Sequence, residues 1–207
     1  FIAIYPFVGG SANSHKWNLK DPRDLDAAFR ITFTGGTHSS QGFNGGGSTG
    51  YGNTNIVPVT MVNRHMAFYN QSAQVNSGVA MGFLPVGSNH WMTRNFSGTV
   101  VSMGAAIAPG GWNASSTGLL LASRETLTSL KLYTGNTEAG SNTGTALDIA
   151  SNNRSILIGA AMNNAGAAQY FTNMNIAFAS YGYSLTQSEI TAFNAAVVAF
   201  QTALGRA

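Results

Sequence analysis

The stretch Asn173-Met-Asn-Ile-Ala-Phe-Ala-Ser-Tyr-Gly-Tyr-Ser-Leu-Thr-Gln-Ser-Glu-Ile-Thr-Ala-Phe-Asn194, continued to Leu204-Gly205-Arg206, reads as a closing strand, a turn and one well-specified helix. Thr186 is a natural N-cap, and Glu189 three residues on completes a capping box in which each satisfies the other's free backbone N–H. Leu185 before the cap and Ile190 after it match a hydrophobic staple. Ile190, Phe193, Val197, Phe200 (or Gln201) and Leu204 recur at helical spacing, and Gly205 supplies the stop. The apolar face through Ile190, Phe193, Val197 and Leu204 is expected to be buried. No earlier segment carries helix signals of this quality. The chain is therefore expected to be mostly β, ending in a single amphipathic helix over residues 186–204.

Composition agrees. Of 207 residues, 25 are Gly, 20 Ser, 20 Asn and 19 Thr, while charged residues make up only 8%. Gly, Asn and Ser make turns and Thr fits a pleated sheet, so short strands joined by many turns are favoured. Ordinary soluble domains carry roughly a quarter charged residues, so solubility here rests on uncharged polar groups. That balance resembles extracellular or virion-surface proteins. There is no cysteine, hence no disulfide and no thiolate metal site. No apolar run is long enough to cross a membrane, so no membrane insertion is expected. The chain opens on Phe1 without an initiator Met, so it is expected to be processed or part of something longer. The 10 basic residues are scattered among 7 acids, and Asp21, Asp24 and Asp26 interleave with His15, Lys16, Lys20 and Arg23. An uninterrupted basic face is missing, which argues against nucleic acid as a partner.

Along the chain, Ile2 to Val8 is an apolar strand-like run, and residues 1–27 otherwise read as an irregular N-terminal segment. Ala28 to Phe33 alternates Phe29, Ile31 and Phe33 against Arg30 and Thr32, the mark of a half-buried strand. Thr34 to Asn55 holds a long Gly-rich tract, read as a functional or mobile loop. Further strands are expected over 65–69, 79–84, 90–95, 99–103, 118–122, 129–133, 155–158 and 174–181. Such spacing, without intervening helices, predicts a sandwich over residues 28–182.

The order of segments resembles the concanavalin A-like (laminin-G-like) jelly roll met in tailed-phage virion proteins and related bacterial surface proteins. The residues carrying the resemblance are Ile4-Tyr-Pro-Phe-Val-Gly-Gly10, Ser14 to Lys20, Asp26 to Gly36, Gly50-Tyr-Gly-Asn-Thr54, Ser129-Leu-Lys-Leu-Tyr133, Ser155-Ile-Leu-Ile-Gly159, Ile176 to Gly182 and Leu185 to Arg206. It implies an all-β jelly-roll sandwich in one domain over the whole chain, closed by the C-terminal helix. It further implies a non-catalytic structural or adhesion module of a virion surface. Partners would be other virion subunits in a homo-oligomer, with a trimer favoured, and host-surface carbohydrate. The alternative is a bacterial secreted carbohydrate-binding domain, or a glycoside hydrolase of the same fold at the cell surface.

Hydrolysis on this fold needs paired carboxylates flanking the scissile bond. Of the glutamates only Glu125 and Glu138 precede the final helix, both beside turns; Asp24 and Asp26 lie in a polar loop and Asp148 stands alone, so no catalytic residue is assigned. His15, His38, His65 and His90 lack metal-ligand spacing and read as turn or surface residues; no metal or other cofactor is expected. Asp21, Asp24 and Asp26 are read as pairing with Lys20 and Arg23 rather than holding calcium. Aromatic rings are the usual sugar platforms, and Phe43, Tyr51, Trp91 and Trp112 are the candidate ligand-binding residues. Phe43 and Tyr51 belong to the Gly-rich tract, and Trp112 follows the turn Pro109-Gly-Gly111.

Overall fold

The capping box forms as expected. The Glu189 carboxylate accepts the Thr186 N–H at 2.8 Å and the Thr186 hydroxyl accepts the Glu189 N–H, which fixes the start of α2, Gln187–Ala203. Leu185 and Ile190 are both buried in one cluster, completing the staple. The computed structural model of the protein describes residues 1–84, 90–96, 99–109, 116–146, 149–150 and 152–206; for 94–96 only the backbone is described.

Apart from α2, the described residues form strands, one α-helical turn and the 3₁₀ turn Asp26–Ala28. The strands and the α-helical turn begin with β1 Ala3–Tyr5, α1 Ala12–His15, β2 Thr32–Thr34, β3 Thr37–Ser39, β4 Gly42–Asn44 and β5 Tyr51–Asn53. Next come β6 Arg64–Asn70, β7 Met81–Phe83, β8 His90–Phe96, β9 Thr99–Met103, β10 Ala106–Ile107 and β11 Gly118–Thr126. The set closes with β12 Ser129–Thr134, β13 Thr137–Asn142, β14 Leu157–Ile158, β15 Ala161–Met162, β16 Ala168–Gln169 and β17 Asn175–Gly182.

These strands form two sheets. The first runs β13-β12-β11-β6-β17-β4-β3, with β1 also on β17; the second runs β10-β9-β8-β7-β14-β5-β2, with β15 and β16 attached. Among the described residues pairing is antiparallel except where β15 meets β7 and at the isolated bridge between Val79 and Phe171. Half of the neighbours in each order, three of six, are distant in sequence, as the crossovers of a jelly roll require.

Period-two alternation sorts the side chains between layers. On β6 and β11, Met66, Phe68, Leu120 and Ala122 point between the sheets, while Ala67, Tyr69, Leu119 and Leu121 point outward against α2. A register shift between Ile176 and Phe178 turns both Ala177 and Phe178 toward the helix. The helix thus covers an apolar outer face that alternation alone would have left wet.

Several expectations need correction. Within residues 1–27 the run Ala3–Tyr5 joins the first sheet, where β1 pairs with β17 through Ala3↔Tyr181 and Tyr5↔Ala179, and Ser11 caps the short helix α1. The strand expected over 28–33 starts only at Thr32, because Asp26–Ala28 is a 3₁₀ turn and Phe29 takes a left-handed conformation at φ 58°. The Gly-rich tract is no free loop; β3, β4 and β5 lie within it, and it passes from the first sheet to the second. Glycine is needed for that passage. A Cβ on Gly42 would lie 2.3 Å from the Ile176 carbonyl oxygen, and one on Gly50 would lie 2.6 Å from the Gly36 Cα. Leu204 is not buried. The chain reverses at Gly205 and Arg206 turns inward instead, donating to the carbonyls of Phe7, Ser40, Pro6 and Ala177.

Candidate functional site

At the β2–β5 end of the second sheet the outer face stays open. The register places Thr32 opposite Asn53 and Thr34 opposite Tyr51, and cross-strand partners share a face. Ile31 and Phe33, which alternate with these threonines, point into the core. Thr32 and Thr34 are exposed, and Tyr51 and Asn53 are half-buried. Tyr51 lies 6.3 Å from the ring of Phe171, and the neighbouring Tyr170 is exposed in a left-handed conformation at φ 55°. Asn53 is held by the Ser155 hydroxyl, which donates to its Oδ1 at 2.7 Å.

β2 is an edge strand, and beside it runs a groove of about 210 Å³ lined by Ala12, Asn13, Lys16, Arg30, Ile31, Thr32 and Phe33. The left-handed Phe29 ends the 3₁₀ turn and sets Arg30 four residues after Asp26, where their side chains meet at 2.7 Å. Asp24 bridges Arg30 at 3.0 Å and Lys16 at 2.8 Å. Hydrogen bonding from Lys16, joined by Arg30, holds the Asp24 carboxyl below its ordinary range. Lys16 also lies 4.6 Å above the half-buried Trp17 ring.

A histidine pair supports the floor. His15 Nε2 accepts the Gly10 N–H at 3.1 Å, so its proton sits on Nδ1 and is donated to His38 Nδ1 at 3.0 Å. Burial, the facing His38 and Arg206 lower His15 to about 4, and burial also lowers His38. Both rings are therefore neutral near pH 7, and the pair ties α1 to β3. His38 meets Phe33, a lining residue of the groove, edge-on at 4.5 Å.

The structure separates the candidate aromatics. Tyr51 stands on the open face. Phe43 is fully buried in the main core, so it has no ring face to offer. Trp91 is 4% exposed, packed with Val79 and Ala161 where the β15–β16 hairpin joins the second sheet. Trp112 and Asp148 lie outside the described residues. Three of the four histidines, His15, His65 and His90, are buried rather than at the surface. Arg23 pairs with Asp21 as expected, but Asp24 and Asp26 take Lys16 and Arg30 in place of Lys20. The groove residues Lys16, Arg30 and Thr32 were not among the candidates. The alternation of Arg30 and Thr32 against Ile31 and Phe33 carried the signal that they share the outer face.

A second groove, about 240 Å³, lies between α2 and the N-terminal strand and is lined by Phe1, Ile4, Phe178, Phe193, Ala196, Val197 and Phe200. It offers no hydrogen-bonding side chain.

No protein-family model matches the chain, and no curated protein matches it. Among solved structures, the chain is similar to domain 4 of AbnA, a GH43 extracellular arabinanase from Geobacillus stearothermophilus, seen in complex with arabinotriose. The TM-score is 0.56 at 13% identity, covering 93% of this chain and 97% of that one. The CBM40 of the Ruminococcus gnavus IT-sialidase overlaps less, at TM-score 0.47 and 10% identity over 66% of this chain and 84% of that one. At this identity the first likeness shows the fold, a jelly-roll β-sandwich, across almost the full length of both chains.

Proposed function

We propose that this chain is a non-catalytic carbohydrate-binding module acting outside the cell, with the open β2–β5 face and the Lys16–Arg30 groove as its site. The observation that carries this reading is the groove itself. Donors fixed by ion pairing (Lys16, Arg30) and their acceptors (Asp24, Asp26) meet at a groove that Asn13 and hydroxyl-bearing Thr32 also line, and the half-exposed Tyr51 stands across from Thr34, two residues along β2 on the same face. Sugar hydroxyls need both kinds of partner, and a pyranose or furanose face stacks on an aromatic ring. The likeness to a domain seen with arabinotriose agrees with this choice.

The acids favour a binding role over catalysis. A general acid needs a raised pKa, whereas Asp21, Asp24 and Glu189 are each held low, chiefly by hydrogen bonds from Arg23, Lys16 and the Thr186 N–H. Glu138 is paired with Lys131, and Glu125 is exposed at the end of β11. Affinity electrophoresis through gels containing soluble polysaccharides tests the reading. Retardation by at least one polysaccharide is expected, weakened in Arg30→Ala, with no reducing sugar released; steady release of reducing ends contradicts it.

The resemblance in the sequence adds a location. On that basis the module sits on a virion surface, where it assembles with other subunits as a homo-oligomer, a trimer by preference. Light scattering that gives a monomer at high concentration contradicts the assembly.

A further inference from the structure

We infer that the groove selects an uncharged, polyhydroxylated sugar and rejects sialic- and uronic-acid glycans; this rests on the carbohydrate-binding reading above. The reason is the closure of its ion pairs. Lys16 and Arg30 are the two cations lining the groove, and both are already engaged: Lys16 by Asp24, Arg30 by Asp24 and Asp26. The pairing leaves two positive and two negative charges, a formal sum of zero. Arg23 is likewise closed on Asp21, and Lys20, exposed in the same segment, does not line the groove.

An acidic sugar would have to displace a carboxylate that is tethered within reach of its cation, and tethering gives that carboxylate a high effective concentration. It would also approach Asp24 and Asp26, which are bonded to the groove's cations and whose side chains are 51% and 66% exposed. A neutral hydroxyl faces no such competition. It donates to the outer lone pairs of the aspartates and accepts the N–H donors that the ion pairs leave over. With no net charge recognised, binding of a neutral sugar is largely independent of salt.

The test is a printed array carrying neutral trisaccharides, arabinotriose among them, beside α2,3-sialyllactose and trigalacturonic acid. It is read for the wild type and for the double variant Asp24→Asn, Asp26→Asn. The wild type is expected to retain neutral glycans alone. The double variant, with both cations released, is expected to gain about tenfold or more for the acidic probes, equivalent to about 1.4 kcal/mol. Should that variant fail to fold, salt titration of the wild type replaces it: the affinity for a retained neutral glycan is expected to change by less than about twofold between 50 and 500 mM salt. Retention of acidic glycans by the wild type, alone or equally with neutral ones, overturns the inference and leaves the carbohydrate-binding reading standing. A steep fall in affinity with salt also overturns it. Retention of no glycan at all removes the carbohydrate-binding reading and this inference together.

Discussion

The outer faces of the two sheets are finished in opposite ways. On the first, Ala67, Tyr69, Leu119 and Leu121 point outward and α2 closes over them. On the second, at β2–β5, the outward residues are Thr32, Thr34, Tyr51 and Asn53, and nothing apolar there demands a cover. Burying the first set removes apolar surface worth about 25 cal/mol per Å². Covering the second would strip water from hydroxyls and amides for little return. A single helix therefore goes to one side, and the polar face on the other is left to solvent.

The sharpest way to break this contrast is at the helix. Ile190 is fully buried, and Ile190→Ala is expected to cost about 2–5 kcal/mol in chemical denaturation. A loss below about 0.5 kcal/mol, typical of surface changes, would mean that the helix does not close the face as described.

Acid is next in size. Burial lowers His65 to about 4, and burial with Arg64 and Arg124 nearby lowers His90 to about 3; His15 stands at about 4. Each histidine titrates near 6.5 when unfolded, so between that value and its folded pKa the unfolded chain binds the extra proton. Stability is therefore expected to be level above about pH 7 and to fall as pH drops from about 6.5 toward 4, by about 1.4 kcal/mol per unit for each such histidine. Unfolding midpoints across that range test this. A flat profile contradicts the burial of these rings.

The cap is worth less. Thr186→Ala removes one half of the box at the start of α2 and is expected to cost about 1 kcal/mol. Tyr51→Ala on the open face is expected to change stability by less than about 0.5 kcal/mol, yet to weaken glycan binding by up to about tenfold, the worth of one aromatic stacking contact.

The same contrast explains what the sequence disclosed. Features set by near neighbours were legible: the Thr186–Glu189 box, the Leu185–Ile190 staple, and strands such as Thr99–Met103. Features set by distant partners were not. β4 and β5 have three residues each and exist because β17 and β14 pair with them across more than a hundred residues. His15 and Phe43 carry no local mark of burial, since the elements that cover them come from elsewhere in the chain. At Phe29 alternation pointed to a strand, but the 3₁₀ turn won and set Arg30 over the aspartates. Tyr51 could be named from sequence as an aromatic at a bend; its companions Lys16 and Arg30 came into view only with the groove.

On the proposed reading the open face, and not the helix side, receives a glycan. Titrating a glycan retained in the gels or on the array into ¹⁵N-labelled protein, with amide shifts followed by NMR, tests it most directly. Shifts are expected to concentrate at Asn13, Lys16, Arg30, Thr32, Thr34, Tyr51 and Asn53. Shifts gathered instead around Phe193, Val197 and Phe200, or none at saturating glycan, would contradict it.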